Sequence, residues 1–464
     1  MDDVGVTLRR ISRLAEQTPP SRERFIDLLR ALSIVAVVLG HWLATVVGYD
    51  RRGDLTGRSA LPELPWAHPL TWVVQVMPVF FLVGGYANAV SLAAERRRGG
   101  GAAEWVLNRT GRLVPPTNAL VLVMAGGALV ARVFGADPSR VRLVVWFASI
   151  PLWFLVAYFM VVVLTPPMYA LHRRFGLAVP LALTGLVALG DLARLFGQAV
   201  WGQGSFLFGW LAIHQMGFAW RDGRLPARPG VALPLLAGGI VMLVVLTVAG
   251  PYPISMINIP GERLHNMSPP SLALLSVAAT QLGMALLLRD RAERWLRHTG
   301  PWTAVVAVNA VILTIFLWHM AAMILVTGLL HLAGVLPVAV PGSAGWLAWR
   351  IPWLAMCALV LAFLVAVFGP IEINGARRRT TRQASAVPGG PALTRVRPVL
   401  RLTLTLAGCA GIAFALLANS LTPATSPAAW GIPAVPLIVY LVSASVLRCL
   451  RASPRQRDAP RQRR

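Results

Sequence analysis

The chain has 464 residues, 56% of them hydrophobic and only 13% charged, and a mean hydropathy of +0.65. That excludes a soluble enzyme of this length and points to a protein integral to a membrane. The formal charge of +25 gives no reason to expect a nucleic-acid partner, because the arginines sit in the links between apolar stretches.

Taken in chain order, Met1 to Ser21 has neither the apolar run nor the cleavage site of a secretory signal, so the first helix is expected to remain as an anchor. Stretches able to cross ~30 Å of hydrocarbon fall near 26–48, 70–94, 113–134, 144–168, 177–197, 203–220, 230–250, 269–288, 303–333, 346–369, 399–420 and 430–450. The basic links alternate with arginine-poor ones: Arg96 to Arg112, His172 to Arg174, Arg221 to Arg228, Arg289 to His298 and Arg377 to Arg401 form the rich set. This positive-inside bias places both termini in the cytoplasm. None of the 43 basic residues is lysine, a bias of genome composition rather than of chemistry.

The first apolar stretch, Arg24 to His41, carries Asp27, Arg30 and His41. An ionisable side chain in a membrane helix costs on the order of 2–3 kcal/mol or more and marks a candidate functional position. Arg30 and His41 are eleven positions apart, close to three helical turns, so they share one side of the helix about 16 Å apart along its axis. Such a face suits a phosphate-bearing donor that docks at the membrane rim and reacts deeper inside. Arg30 has a structural alternative, an ion pair with Asp27 one turn earlier.

Weaker signals follow along the chain. Asp191 and Arg194 are expected to neutralise each other, and His214-Gln215 lies in a short, Gly-rich span. The link from Pro251 to Pro269 carries Asn258, Glu262, Arg263, His265 and Asn266; it reads first as a solvated loop, though one polar enough to meet a sugar. His319 shares its apolar stretch with Asn309 and Thr314, and interhelical hydrogen bonding is as good an account of it as chemistry. Cys357, Cys409 and Cys449 have no metal-ligand spacing and are expected as packing residues. No metal site is expected.

Five segments in order resemble the acyltransferase-3 family of integral-membrane O-acyltransferases: Arg30 and His41 within FIDLLRALSIVAVVLGH; MPVFFLVGGY from Met77 to Tyr86; Asn108-Arg109 through Arg112 and Pro115 in the next cytoplasmic link; Trp153-Phe154-Leu155; and Leu317-Trp318-His319. The resemblance covers roughly residues 22–370. The chain departs from it at Gly84, where the family usually has serine, so any role of that hydroxyl is missing here.

The resemblance implies an enzyme that moves an acyl group from acyl-coenzyme A, a donor substrate rather than a cofactor, to a hydroxyl of an envelope glycan or glycolipid. Acyl transfer needs a base, a grip on the donor and a place for the oxyanion. His41 is the expected base, since a buried imidazole stays neutral and can accept a proton. His319 is a second catalytic candidate, and Arg30, Arg109 and Arg112 are expected to hold the coenzyme A phosphates. The fold expected is all-α, a polytopic transmembrane bundle of about ten core helices plus a C-terminal pair, in the plasma membrane of a bacterium. Its expected parts are a cytoplasmic segment 1–24, the acyltransferase-3-like domain 25–370, a basic linker 371–398, two further helices 399–450 and a basic tail 451–464. A transporter or flippase of an acylated lipid or glycan precursor is the alternative, since buried charges in a helical bundle serve transport equally well.

Overall fold

In the computed structural model the apolar stretches fold as helices; the residues described are 16, 18–19, 22–49, 53, 55–337, 339–384, 398–424 and 430–451. Most of the expected N-terminal segment, linker positions 385–397 and the tail from 452 lie outside them. Among the described residues there are fourteen helices of twelve residues or more, and eleven spans are long and apolar enough to cross a membrane. The protein is an all-α multi-pass membrane protein, with one small hairpin among the described residues.

Contacts divide the chain into two units, one of residues 1–93 and 164–369, the other of 94–163 and 370–464. In the first unit, α1 (Arg24–Ala44) buries Ala31, Ile34, Val38 and Trp42 along one stripe and exposes Leu32, Val35, Leu39 and Leu43 along the opposite one. That is helical periodicity with apolar residues on both faces, as a membrane helix requires. Its Arg30 end is fastened by Arg24 to the Leu296 carbonyl (2.6 Å), by the Phe25 amide to Glu293 (2.8 Å) and by Glu23 to Arg289 (2.6 Å). At its other end Thr45 turns extended and begins β1 (Thr45–Tyr49), paired antiparallel with β2 (Leu55–Ser59). Nothing in the sequence pattern predicts this hairpin.

Next comes α2 (Met77–Arg97), whose Met-Pro-Val-Phe-Phe run is largely inside: Phe81 stacks on Trp210 with ring centroids 4.4 Å apart. Its Gly85 meets α7 (Ser205–Arg221) at Gly217; a Cβ on Gly85 would strike the His214 carbonyl, and one on Gly217 would strike the Leu82 carbonyl. Small residues let two membrane helices approach to backbone contact, and Asn88 with His214 adds a buried hydrogen bond of 3.1 Å beside the crossing. Helix α7 has 17 residues, which accounts for its weak signal as a span.

The remaining helices of this unit are the end of α5 (Leu152–Phe175), α6 (Ala178–Leu195), α8 (Pro229–Val244), α9 (Leu272–Trp295), α10 (Thr299–Ala310), α11 (Ile312–Leu332) and the start of α12 (Ala344–Ala384). Three boundaries differ from expectation. The span placed at 144–168 is Leu152–Phe175, so His172 to Arg174 are helical rather than a link, and His172 is buried. The long stretch near 303–333 breaks at Val311, which puts Asn309 on a different helix from His319. The linker expected from 371 begins later, because α12 continues to Ala384.

The link Pro251 to Pro269 is only in part the solvated loop expected: Glu262 and Arg263 are exposed, but its flanks turn inward. Asn266 is buried and donates to the Pro253 and Ser255 carbonyls (2.8 and 3.0 Å) while accepting from Ser271 (2.7 Å). Asp191 at the end of α6 pairs with Arg194 as expected, and also accepts from the Tyr252 hydroxyl (2.8 Å) and the Leu272 amide (2.9 Å). Polar residues here satisfy the loop's own backbone, which buried loops require. Burial and the neighbouring Asp191 charge push the Tyr252 hydroxyl above the usual phenol range.

The second unit contains α3 (Ala102–Val133), α4 (Pro138–Ser149), the start of α5, α13 (Pro398–Leu421) and α14 (Ala434–Arg451). Asp137 caps α4 by accepting from the Ser139 and Arg140 amides, with Pro138 at the first helical position. Arg142 of α4 is fully buried and donates to Asn419 Oδ1 (3.1 Å) and the Asn419 and Thr422 carbonyls (3.0 and 2.7 Å) at the end of α13. The Tyr440 hydroxyl of α14 donates to Asn118 of α3 at 2.7 Å. The C-terminal pair is thus fastened to α3 and α4 by polar contacts. Cys357 and Cys409 are buried, whereas Cys449 is exposed on α14 rather than packed.

Candidate functional site

His41 sits in the last turn of α1, half-buried, next to Gly40, where an added Cβ would meet nothing within 4 Å. His319 lies mid-way along α11 and is fully buried. The two rings face each other with centroids 5.0 Å apart, and His319 Nε2 lies 3.3 Å from His41 Nδ1. Trp42, the residue after His41, donates its indole N–H to the His319 carbonyl at 3.0 Å. Trp318 anchors α11 from the other side by stacking on Phe368 of α12, with centroids 3.8 Å apart.

The backbone dictates the tautomers. His319 Nδ1 is 2.6 Å from the Phe316 carbonyl, which can only accept, so Nδ1 carries the proton and Nε2 is a lone pair. His41 Nδ1 faces two acceptors, the Val37 carbonyl at 2.9 Å and that His319 lone pair, and therefore also carries its proton. Neutral His41 then keeps its lone pair on Nε2, which makes no hydrogen bond to any described residue. An imidazole held at one nitrogen and open at the other is placed to take a proton.

Arg30 lies on the same helix three turns away, its side chain 33% exposed and 3.7 Å from Asp27. Asp27 is nearer to Arg22, at 2.6 Å, so the ion-pair alternative accounts for only part of the Arg30 guanidinium. Asn309 donates to the Asp27 carbonyl at 2.9 Å and braces this end of α1.

Arg109 and Arg112 belong to the second unit. They lie on α3, which starts at Ala102, and not in a link between helices. Three positions apart, they share a helix face, and Arg109 sits over the Trp105 ring at 5.7 Å.

Two residues beside the histidines went unnoticed in the sequence. Arg350 and Trp353 of α12 both donate to the Trp42 carbonyl, at 3.3 and 3.0 Å, and Arg350 also donates to the Thr45 carbonyl at 3.0 Å. They complete the C-terminal end of α1, whose last carbonyls have no partner within the helix. A signal existed: Arg350 is an ionisable residue inside an apolar span.

A comparison with protein-family models matches residues 23–369 to the acyltransferase domain of the acyltransferase-3 family. The chain belongs to this family. It is therefore a membrane acyltransferase, an enzyme that transfers acyl groups other than amino-acyl groups. Comparison with curated proteins and with solved structures gives no match. The matched segment contains Arg30, His41, Arg109, Arg112 and His319, and ends before α13.

Proposed function

We propose that this acyltransferase moves an acyl group from cytoplasmic acyl-coenzyme A to a hydroxyl of an envelope glycan or glycolipid, in a bacterial plasma membrane with both chain termini in the cytoplasm. The observation that carries the proposal is the histidine pair, which leaves His41 Nε2 as the open lone pair beside a buried partner. The acceptor hydroxyl gives its proton to His41 Nε2 as its oxygen attacks the thioester carbonyl. The tetrahedral intermediate then expels the coenzyme A sulfur, which takes the proton back from His41, leaving an ester and a free thiol. While His41 is an imidazolium, its Nδ1–H donates to His319 Nε2, so His319 holds the ring in place and shares its charge without exchanging the proton.

Arg30 is assigned to the donor's phosphates. About 16 Å of helix separates it from His41, within the reach of a pantetheine arm. Assignment of Arg109 and Arg112 to phosphate binding rests on their charge and on the paired-arginine motif.

Radiolabelled acetyl-coenzyme A supplied to membranes containing the full chain tests the reading. Label is expected in alkali-labile ester linkage in the envelope carbohydrate fraction, and is expected to vanish in His41→Ala membranes holding as much protein. Label that appears in that fraction independently of His41 overturns the assignment of the base. Transport of a preformed acylated precursor with no use of acetyl-coenzyme A favours the flippase alternative.

A further inference from the structure

Arg30, Val37 and His41 are each half-buried, and at spacings of seven and four positions they form one line along α1. That line lies on the side of the helix away from the lipid-facing residues Leu32, Val35, Leu39 and Leu43. Fully buried residues flank it on both sides, Ala31 and Ile34 on one, Ile26 and Ser33 on the other. Accessible surface between two buried flanks is not lipid contact. It is the wall of an internal groove that runs about 16 Å from the donor arginine to the base. Between its ends α1 offers no polar group, since the Ser33 hydroxyl turns back to the Leu29 carbonyl at 2.7 Å.

Asn309, half-buried in the last turn of α10, packs beside the Arg30 end of this line. Its Nδ2 donates to the carbonyls of Asp27 and Val305, each at 2.9 Å. A carbonyl can only accept, so both bonds fix which way the amide points. Oδ1 is then an acceptor buried without a partner among the described residues, and leaving such a group unmet is costly. Asp27 precedes Arg30 by one turn, so this acceptor stands next to the guanidinium. A groove with a cation and an unmet acceptor at one end, an apolar wall, and a base at the other suits one kind of chain: phosphate first, then a hydrogen-bond donor, then methylenes ending in a thioester.

We infer that this groove holds the pantetheine arm of the donor, with Val37 as its floor and Asn309 Oδ1 accepting from a hydrogen-bond donor of the pantoate unit, the part next to the phosphates. This rests on the acyl-transfer reading above. It adds two residues that recognise the arm itself, apart from the arginine that holds the phosphates.

The test follows thiol release by the purified full chain in liposomes from three donors: acetyl-coenzyme A, S-acetylpantetheine, which has the whole arm without phosphates, and S-acetyl-N-acetylcysteamine, whose arm is cut after the first amide. Val37→Phe narrows the groove about 6 Å from His41 and keeps the backbone carbonyl that holds His41 Nδ1. It is expected to raise KM about tenfold or more for the two whole-arm donors and less than about threefold for the short one. Asn309→Ala is expected to raise KM about three- to tenfold for the same two donors only. Loss of its brace on α1 lowers kcat for all three donors by one common factor. Val37→Phe, an apolar exchange at a half-buried position, remains informative should Asn309→Ala fail to fold. With Val37→Phe, KM values that are unchanged, or raised equally for all three donors, overturn the groove. A loss confined to kcat in Asn309→Ala overturns the hydrogen bond to the pantoate unit. Either result beside His41-dependent turnover of acetyl-coenzyme A leaves the acyl-transfer reading standing; a wild-type protein that releases thiol from none of the three donors overturns that reading, and the groove with it.

Discussion

Trp42 donates its indole N–H to the main-chain carbonyl of His319, 3.0 Å away, so the turn that presents one histidine is latched to the helix that presents the other. The carbonyl of Trp42 in turn accepts from Trp353 and Arg350. Trp42→Phe removes the latch while keeping an aromatic ring in the same buried place. Its stability cost is expected to be about 1–2 kcal/mol, whereas kcat should fall by about tenfold to a hundredfold through loss of alignment. Thermal unfolding and acetyl-coenzyme A turnover on the same preparation separate the two effects; an unaltered kcat means the latch does not set the histidine geometry.

Arg30 and His41 were legible in the sequence because ionisable residues stand out in an apolar helix and helical periodicity gives their shared side. The partnership of His41 with His319 was not, since 278 positions separate them and only packing of α1 against α11 brings them together. Arg350 shows a different failure: its cost in an apolar span was as visible as that of Arg30, but no neighbouring motif drew attention to it. Polarity misled in the link Pro251 to Pro269, where asparagines that look solvent-seeking are turned inward to serve backbone groups. The break between α10 and α11 at Val311 has neither proline nor glycine to announce it.

His319 is expected to act through His41. His319→Leu should lower kcat by on the order of 10–100-fold, and the double variant with His41→Ala should be no worse than His41→Ala alone. His319→Gln, whose side-chain oxygen can accept from His41 Nδ1–H, should recover part of the loss. Additive losses in the double variant would make His319 an independent catalytic group.

The crossing of α2 and α7 has no room for a methyl group. Gly217→Ala places a Cβ against the Leu82 carbonyl, a backbone atom that cannot rotate aside. Overpacking of this kind costs about 1–3 kcal/mol or more. Lower thermal stability in detergent should accompany it, with KM for acetyl-coenzyme A little changed in the protein that remains folded. Equal stability would mean the helices are free to separate there.

Truncation after Glu372 removes α13 and α14 and strips Arg142 of its partners on Asn419 and Thr422. A buried cation deprived of its partners costs about 3–5 kcal/mol. The shortened chain should accumulate poorly, and Arg142→Met within it should restore part of the yield. A truncated protein as stable as the full chain would show that these hydrogen bonds contribute little.

Tyr252 and Asp191 make stability depend on alkaline pH. Because the folded pKa of Tyr252 is raised, its contribution is fully present below the ordinary phenol pKa of about 10 and fades as pH climbs through the folded value. Tyr252→Phe should be less stable at pH 8 and lose less between pH 9 and 11 than the wild type. Parallel curves for the two proteins would remove the hydroxyl from the account.

The role of His41 Nε2 as proton acceptor is tested most directly by release of free coenzyme A thiol from acetyl-coenzyme A by the purified full chain in liposomes. His41→Ala is predicted to lower this rate by about 10²–10⁴-fold, with coenzyme A affinity within threefold of wild type and unfolding temperature nearly unchanged. A His41→Ala protein that binds the donor equally well and still releases thiol at the wild-type rate would contradict the account.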